Sequence, residues 1–143
     1  MTLHPHISMI GIGTADLDRS VAFYEALGWR RSSASTETMI FLALENLCVG
    51  LHPREMLAAD AEVDPVGSGF RGVTFAHNVR SESEVDAAFA SVSHAGGSVV
   101  KEPTRVHWGG YSGYFSDPDG NLWEIAYNPF VELSADGRME LLE

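Results

Sequence analysis

The chain is poor in cysteine and in lysine. Cys48 is the one cysteine and Lys101 the one lysine among 143 residues. An internal disulfide is therefore excluded, which is typical of proteins in a reducing cytoplasm. Cys48 lies in an apolar run and is interpreted as a small buried hydrophobe. No apolar stretch is long enough to span a bilayer, and residues 1–6 lack the basic region and apolar core of a signal peptide. We therefore expect a cytoplasmic protein.

Positive charge is also scarce. Nine lysines and arginines stand against twenty aspartates and glutamates, which gives a formal net charge of -11. A phosphate backbone or an anionic membrane attracts the opposite balance of charge. The composition therefore argues against nucleic acid and membrane as partners and favours a cationic one.

Apolar residues at helical spacing occur twice. The first set is Leu17, Val21, Tyr24 and Leu27, and the second is Val85, Phe89, Val92 and Ala95. Each set follows the i, i+4, i+7, i+10 spacing of one helix face. Asp16 and Ser81 are the expected N-caps, and a glycine follows each helix as a natural stop. The spacing predicts two helices of the same pattern.

Short apolar runs bounded by turn residues predict strands around both helices. These runs are residues 7–13, 29–34, 38–44, 47–52, 70–79, 98–101, 111–115 and 122–127. The order predicts an α+β domain of two βαβββ modules, residues 7–52 and 70–128. Residues 53–69 are interpreted as a linker with at most one short helical turn, and residues 129–143 as a polar tail whose Leu133 or residues 139–142 pack on a neighbour.

The last predicted hairpin carries a single carboxylate within an apolar strand. Pro118 and Gly120 suit a tight turn between the runs 111–115 and 122–127. Side chains alternate along a strand, so Trp123 and Ile125 share one face and Glu124 projects from the other. A buried unpaired charge costs several kcal/mol, on the order of magnitude, so Glu124 needs either water or a partner.

Three segments resemble the vicinal-oxygen-chelate superfamily, which includes glyoxalase I, extradiol dioxygenases and bleomycin resistance proteins. Residues 16–29 (DLDRSVAFYEALGW) resemble its first helix, residues 95–103 (AGGSVVKEP) its second helix exit, and residues 117–124 (DPDGNLWE) its last hairpin. The resemblance covers about residues 7–129. It implies paired βαβββ modules, mixed sheets curled around a cleft with helices outside, and a homodimer.

The resemblance also implies a test for a metal ion. Metal-using relatives place a His in the first strand, a His in the first strand of the second copy, and a Glu in the last strand. Here those positions hold Met9, Thr74 and Glu124, and an optional fourth ligand falls near Gly50. Methionine and threonine are poor ligands for hard divalent ions. We therefore expect no metal and no other cofactor. The alternative is one divalent ion held by Glu124 and by histidines placed differently from this strand register.

The predicted function is binding of a small organic molecule, cationic or aromatic, in the cleft. Glu124 is the expected anchor, and if desolvated it is the expected catalytic base. The other candidate ligand-binding residues are Met9, Thr74, Asn78, Trp108, Tyr111 and Tyr114. Two alternatives stay open. One is a divalent-metal-dependent lyase, isomerase or dioxygenase of the same superfamily. The other is a dimerising module with a vestigial cleft.

Overall fold

The computed structural model describes residues 4–141. Met1–Leu3, the start of the segment analysed for a signal peptide, and Leu142–Glu143, the end of the predicted tail, lie outside the described residues. The chain divides into two compact units, Met1–Gly67 and Ser68–Glu143. Within residues 4–141, every helix is too short or too polar to cross a membrane.

Within residues 4–67, the first unit contains four strands and two helices. In chain order they are β1 (Met9–Thr14), α1 (Leu17–Ala26), β2 (Arg30–Arg31), β3 (Ile40–Ala43), β4 (Cys48–Pro53) and α2 (Arg54–Asp60). The strands form one sheet in the order β1-β4-β3-β2, with β1 and β4 parallel and the other pairs antiparallel. Alternation places the buried side chains on one face, and these are Ile12, Ile40, Leu42, Val49 and Leu51.

Helix α1 begins and ends where its sequence predicts. The Asp16 carboxylate accepts a hydrogen bond from the backbone N–H of Arg19 at 3.0 Å, which satisfies one of the free amides of the first turn. Gly28 follows the helix with φ of 90°, a conformation that glycine adopts without steric cost. The Thr14 and Ser20 hydroxyls, 2.7 Å apart and buried, tie the end of β1 to α1.

Helix α2 lies inside the segment that was interpreted as a linker, and it is longer than the single turn expected there. It covers part of the sheet face opposite the buried aliphatic side chains. A Cβ placed on Gly11 would lie 3.9 Å from Leu57 Cδ1, and one placed on Gly13 would lie 3.2 Å from Arg54 Cα. Two glycines of β1 therefore provide the space into which α2 packs.

The second unit repeats the strand, helix, three-strand order of the first. Its elements are β5 (Phe75–Val79), α3 (Glu82–His94), β6 (Ser98–Arg105), β7 (Tyr111–Ser116), β8 (Leu122–Tyr127), β9 (Glu132–Leu133) and β10 (Met139–Glu140). The main sheet has the order β5-β8-β7-β6. β9 and β10 form a two-stranded hairpin within the predicted tail. The predicted α+β class with two βαβββ modules is confirmed.

The second unit packs α3 on an aromatic layer. The Phe89 ring on α3 meets the Phe115 ring edge-on at 6.3 Å, and Phe115 stacks on Trp123 at 6.2 Å. Phe75 continues the row, with its ring centre 4.9 Å from that of Trp123. Three neighbouring strands thus present rings to one helix, as the predicted burial of Trp123 and Ile125 requires.

Candidate functional site

The hairpin between β7 and β8 fixes the position of Glu124. Asp117 accepts hydrogen bonds from the backbone N–H groups of Asp119 at 3.0 Å and Asn121 at 2.8 Å, and its second oxygen accepts from the Asn121 side chain at 2.7 Å. This closed turn sets the strand register in which Tyr114 lies opposite Glu124. On its other side, β8 pairs with β5 and places Ala76 beside Glu124.

Glu124 lies on the face of the second sheet that points away from α3, as its strand parity predicts. Its side chain is half-buried, and so is that of Tyr114. Ser112 and Ala126 on the same face are buried, with 2% and 4% of their surface exposed. The carboxylate therefore does not stand on a fully solvated outer face.

The Tyr114 hydroxyl lies next to the Glu124 carboxylate, which affects its pKa. Burial raises the pKa of Tyr114, and the negative charge of Glu124 and a hydrogen bond to it raise that pKa further. A tyrosine with a raised pKa stays protonated and donates to the carboxylate. One donor occupies one of about four lone-pair positions of a carboxylate, so Glu124 retains capacity to accept from a ligand.

Asn78 and Thr74 share the side of the sheet on which Glu124 lies. Asn78 is half-buried on β5, two residues from Ala76, and pairs with Ala126. Thr74 precedes the first residue of β5 and is exposed. Asn78 is thus on the neighbouring strand within the same face, while Thr74 lies at its margin.

Tyr111 is not brought to the Glu124 face. The Tyr111 hydroxyl donates to Asp86 of α3 at 2.8 Å, so its ring lies on the helix side of the sheet. Tyr111 and Glu124 are at opposite strand parity, which explains the separation. The Trp108 ring folds over Gly110, where a Cβ would lie 1.8 Å from the ring. Their roles in ligand binding stay predictions.

Met9 belongs to the first unit, where it begins β1 opposite Cys48. The same face of that sheet borders an open cavity of about 480 Å³, whose wall includes Ser32, Phe41, Ala43 and Cys48. The eight lining residues include no aspartate, glutamate, histidine, lysine or arginine. The volume falls within the range of small-molecule pockets.

The sequence reasoning missed two features of these faces. Ser112 shares the Glu124 face, and the hairpin register that places Tyr114 opposite Glu124 would have found it. Met39 precedes β3, and its sulfur lies beside that of Met9 over Gly50. No local motif signals that second contact, because it depends on the pairing of three strands.

The donor set does not fit the divalent ion of the metal-using relatives. Within residues 4–141, no three or more His, Cys, Asp and Glu side chains are grouped so that they could hold an ion. The matching positions offer a thioether at Met9, a hydroxyl at Thr74 and no side chain at Gly50. A catalytic divalent ion needs about three good donors, and of these family positions only Glu124 supplies one.

The chain is thus a small two-module protein with duplicated βαβββ units. The fourth strand of the second unit, β8, carries Glu124. The family model of the Glyoxalase/Bleomycin resistance protein/Dioxygenase superfamily matches residues 6–125. The chain belongs to this superfamily, and the resemblance of its three segments is confirmed. No match was found among curated proteins.

Solved structures support the same assignment. A glyoxalase-related enzyme from Fulvimarina pelagi is 32% identical, with a TM-score of 0.88 over 98% of this chain and 100% of that chain. A superfamily enzyme from Burkholderia phytofirmans is 23% identical, with a TM-score of 0.73 over 84% of this chain and 96% of that one. A lactoylglutathione lyase from Agrobacterium tumefaciens is 21% identical, with a TM-score of 0.66 over 89% and 97%. The last two show likeness of fold alone.

Proposed function

We propose that this protein binds a small organic molecule that carries a cationic or hydrogen-bond-donating group, and that Glu124 anchors that group without the divalent ion of its metal-using relatives. The observation that supports the proposal is the half-buried carboxylate on the face of the second sheet that points away from α3, with the Tyr114 hydroxyl as its neighbour. A charge-assisted hydrogen bond to such a carboxylate is shorter and stronger than a neutral one.

The surroundings of Glu124 favour recognition of a donor. Asn78 on β5 offers an amide that can both donate and accept, and Ser112 on β7 adds a hydroxyl on the same face. Apolar Ala76 and Ala126 lie between these groups and leave room for the flat or aliphatic body of a ligand. Small-molecule sites typically have a few polar groups among mostly apolar side chains.

The net charge of -11 also supports a cationic ligand. A surplus of acids raises the local concentration of cations and their rate of encounter, an effect that salt weakens. Sequestration of a cationic small molecule therefore suits this chain better than binding of a phosphorylated one.

Calorimetry with a panel of cationic glycopeptides and aromatic metabolites tests the proposal. We expect at least one cationic compound to bind, and Glu124→Gln to weaken it by about tenfold or more, because the charge-assisted bond is lost. Glu102→Gln on β6 is the matched control, since it removes the same charge from an exposed site. Binding that is equal in wild type and Glu124→Gln, or no heat from any compound, would contradict the proposal. Wild-type-like binding or activity in Glu124→Ala would favour the vestigial cleft.

A second candidate is a metal-dependent lyase, isomerase or dioxygenase. It is favoured by the relative from Fulvimarina pelagi, which is described as an enzyme and is 32% identical. Elemental analysis of protein purified without a chelating tag separates the two candidates. One tightly bound Ni, Zn, Fe or Mn ion per chain would overturn metal-free binding and favour the second candidate.

A further inference from the structure

Two methionine sulfurs meet over Gly50 in the first unit. A Cβ placed on Gly50 would lie 3.1 Å from the Met9 sulfur and 3.2 Å from the Met39 sulfur. Both distances share one end, so the sulfurs are neighbours on the same face of the sheet. Met9 is the first residue of β1, and Met39 directly precedes β3. Because Gly50 has no side chain, both thioethers can lie over its backbone.

An imidazole lies on the same face of the sheet. β3 and β4 are antiparallel and pair Ile40 with Leu51, and Met39 and His52 are the next residues beyond that pair at the same end of the two strands. His52 also shares the face of Gly50, because the two are separated by two residues along β4.

The hydrogen bond of His52 selects the ring tautomer. Its Nδ1 atom pairs with the backbone carbonyl of Thr38. A carbonyl oxygen only accepts, so Nδ1 carries the proton and Nε2 keeps a free lone pair. Metal-binding histidines are commonly held in this way, with one ring nitrogen donating to a backbone carbonyl and the other facing the ion.

We propose that Met9, Met39 and His52 form a binding site for monovalent copper. Thioether sulfur is a soft ligand that selects Cu(I) over hard divalent ions, and neutral imidazole also suits copper. Cys48 pairs with Met9 across β1 and β4 and lies on the same face of the sheet. Its thiol is a neighbouring soft donor. The site uses residues of the first unit alone and does not include Glu124; it shares Met9 with the predicted ligand-binding residues.

The exposure of the donors allows an ion to enter. Met9 is 42% exposed, whereas Met39 and His52 are half-buried. One donor thus faces solvent while two are held by the sheet. Methionine also fills space without any metal, because its flexible side chain adapts to irregular gaps. Leucine keeps a similar volume but has no sulfur, so Met→Leu variants separate packing from coordination.

The experiment is a Cu(I) competition in the absence of oxygen, with the full chain free of tags and a chromophoric Cu(I) chelator as competitor. We expect wild type to withdraw one equivalent of Cu(I) per chain and to leave Zn(II) with its own chelator. Met9→Leu, Met39→Leu and His52→Ala should each weaken Cu(I) binding by at least about tenfold, the lower end of what even outer-shell partners of metal ligands contribute. Met139→Leu, an exposed methionine of β10, is the matched control and should bind as wild type does.

Gly50→Ala gives a second, geometric test. Its methyl would lie closer to both sulfurs than ordinary contact, and the flexible thioethers would yield by moving apart. We expect weaker Cu(I) binding with a melting temperature close to that of wild type.

Competing copper sites are tested with separate variants. His4 and His6 have Nδ1 atoms 3.0 Å apart, so a variant with both changed to Ala must keep the binding. Loss of binding in that variant, or in Cys48→Ser but not in the methionine variants, would overturn the proposal. No withdrawal of Cu(I) by wild type, or equal binding of Zn(II), would also overturn it. Glu124→Gln is expected to bind Cu(I) normally, so this proposal and the ligand proposal fail separately.

Discussion

The two units share one topology but present different chemistry on equivalent positions. Their sheets have the matching orders β1-β4-β3-β2 and β5-β8-β7-β6. Strand register makes Gly50 the counterpart of Glu124, and Phe41 the counterpart of Tyr114. The first unit therefore offers apolar and sulfur groups where the second offers a carboxylate and a hydroxyl. Duplication fixes where a side chain points, and the residue type at each point then diverges.

The helix-facing sides differ in how they fill the same volume. Val21 on α1 and Phe89 on α3 occupy matching positions in the two helices. Ile40 of β3 corresponds to Gly113 of β7, and the Phe89 ring lies over Gly113. A small helix residue accompanies a large strand residue in the first unit, and the sizes are exchanged in the second. Close packing requires such compensation.

The largest effect is expected at Phe89. Phe89→Ala should lower the free energy of unfolding by about 3–5 kcal/mol, because it removes a buried ring and leaves a cavity. The ring is 5% exposed and makes the edge contact with Phe115. Val21→Ala at the matching position of the first unit removes only two methyl groups, so its effect should be clearly smaller. Urea unfolding of both variants measures the difference.

Gly113 provides the control for this comparison. A Cβ there would lie 2.7 Å from the Phe89 ring and 2.7 Å from the backbone oxygen of Lys101. Since a backbone atom cannot move aside as a side chain does, Gly113→Ala should cost about 1–3 kcal/mol. If Phe89→Ala and Val21→Ala destabilise equally, the inferred exchange of volumes is wrong.

The sequence predicts the parts of both units that depend on local periodicity. Spacing along the chain predicts the helix faces, the caps at Asp16 and Ser81, and the projection of Glu124 from the face opposite Trp123 and Ile125. Helix α2 does not follow, because Pro53 forms no side-chain cap and the helix packs through distant glycines of β1. The β9–β10 hairpin is equally weak in local signal, since each strand has two residues.

The candidate site is predictable only in part, for the same reason. Parity along the last predicted strand places Glu124 on the face away from Trp123 and Ile125 from the sequence alone. The placement of Tyr111 against Asp86 depends on which side of the sheet α3 covers. The meeting of Met9 and Met39 depends on a glycine in the strand between them. Tertiary contacts of this kind have no signature within a short window of sequence.

A middle-sized effect is expected at the two helix caps. Asp16→Ala and Ser81→Ala should each cost about 1 kcal/mol, because each removes the acceptor for a first-turn amide. Asp16→Ala should lower the free energy of unfolding somewhat more than Ser81→Ala. The Asp16 charge also interacts favourably with the helix N-terminus, by about 0.3–1 kcal/mol. In the second unit, Glu84 accepts a hydrogen bond from the Arg80 N–H at 2.7 Å. This bond does not involve the Ser81 side chain, so it still holds the start of α3 in Ser81→Ala. Thermal unfolding of both variants measures the order.

Asp16→Asn is the control for the charge. It keeps the acceptor and removes only the negative charge, so it should cost less than Asp16→Ala. A loss as large as that of Asp16→Ala would assign the whole effect to the charge. A larger loss from Ser81→Ala than from Asp16→Ala would contradict the difference between the units.

The smallest effect concerns Tyr114, which has a phenylalanine, Phe41, as its counterpart in the first unit. Burial, the charge of Glu124 and the hydrogen bond between them raise the pKa of Tyr114 above the usual value of about 10. Below that pH, both the folded and the unfolded chain hold the phenolic proton, and the contribution to stability is fully present. Above it, the unfolded chain releases the proton first, so the free energy of unfolding falls as pH rises through the folded pKa. Tyr114→Phe gives the second unit the residue type that Phe41 has in the first. In this variant the free energy of unfolding should fall less steeply as the pH rises.

Tyr111 sharpens the test, because its pKa is also raised, chiefly by its hydrogen bond to Asp86. Tyr111→Phe should flatten the same fall, but the two tyrosines differ in their response to Glu124→Gln. Removal of that charge should bring the tyrosinate absorbance of Tyr114 to lower pH and leave the titration of Tyr111 in place. If Glu124→Gln shifts neither titration, the carboxylate does not face the Tyr114 hydroxyl, and the anchor proposed for a cationic ligand loses its neighbour.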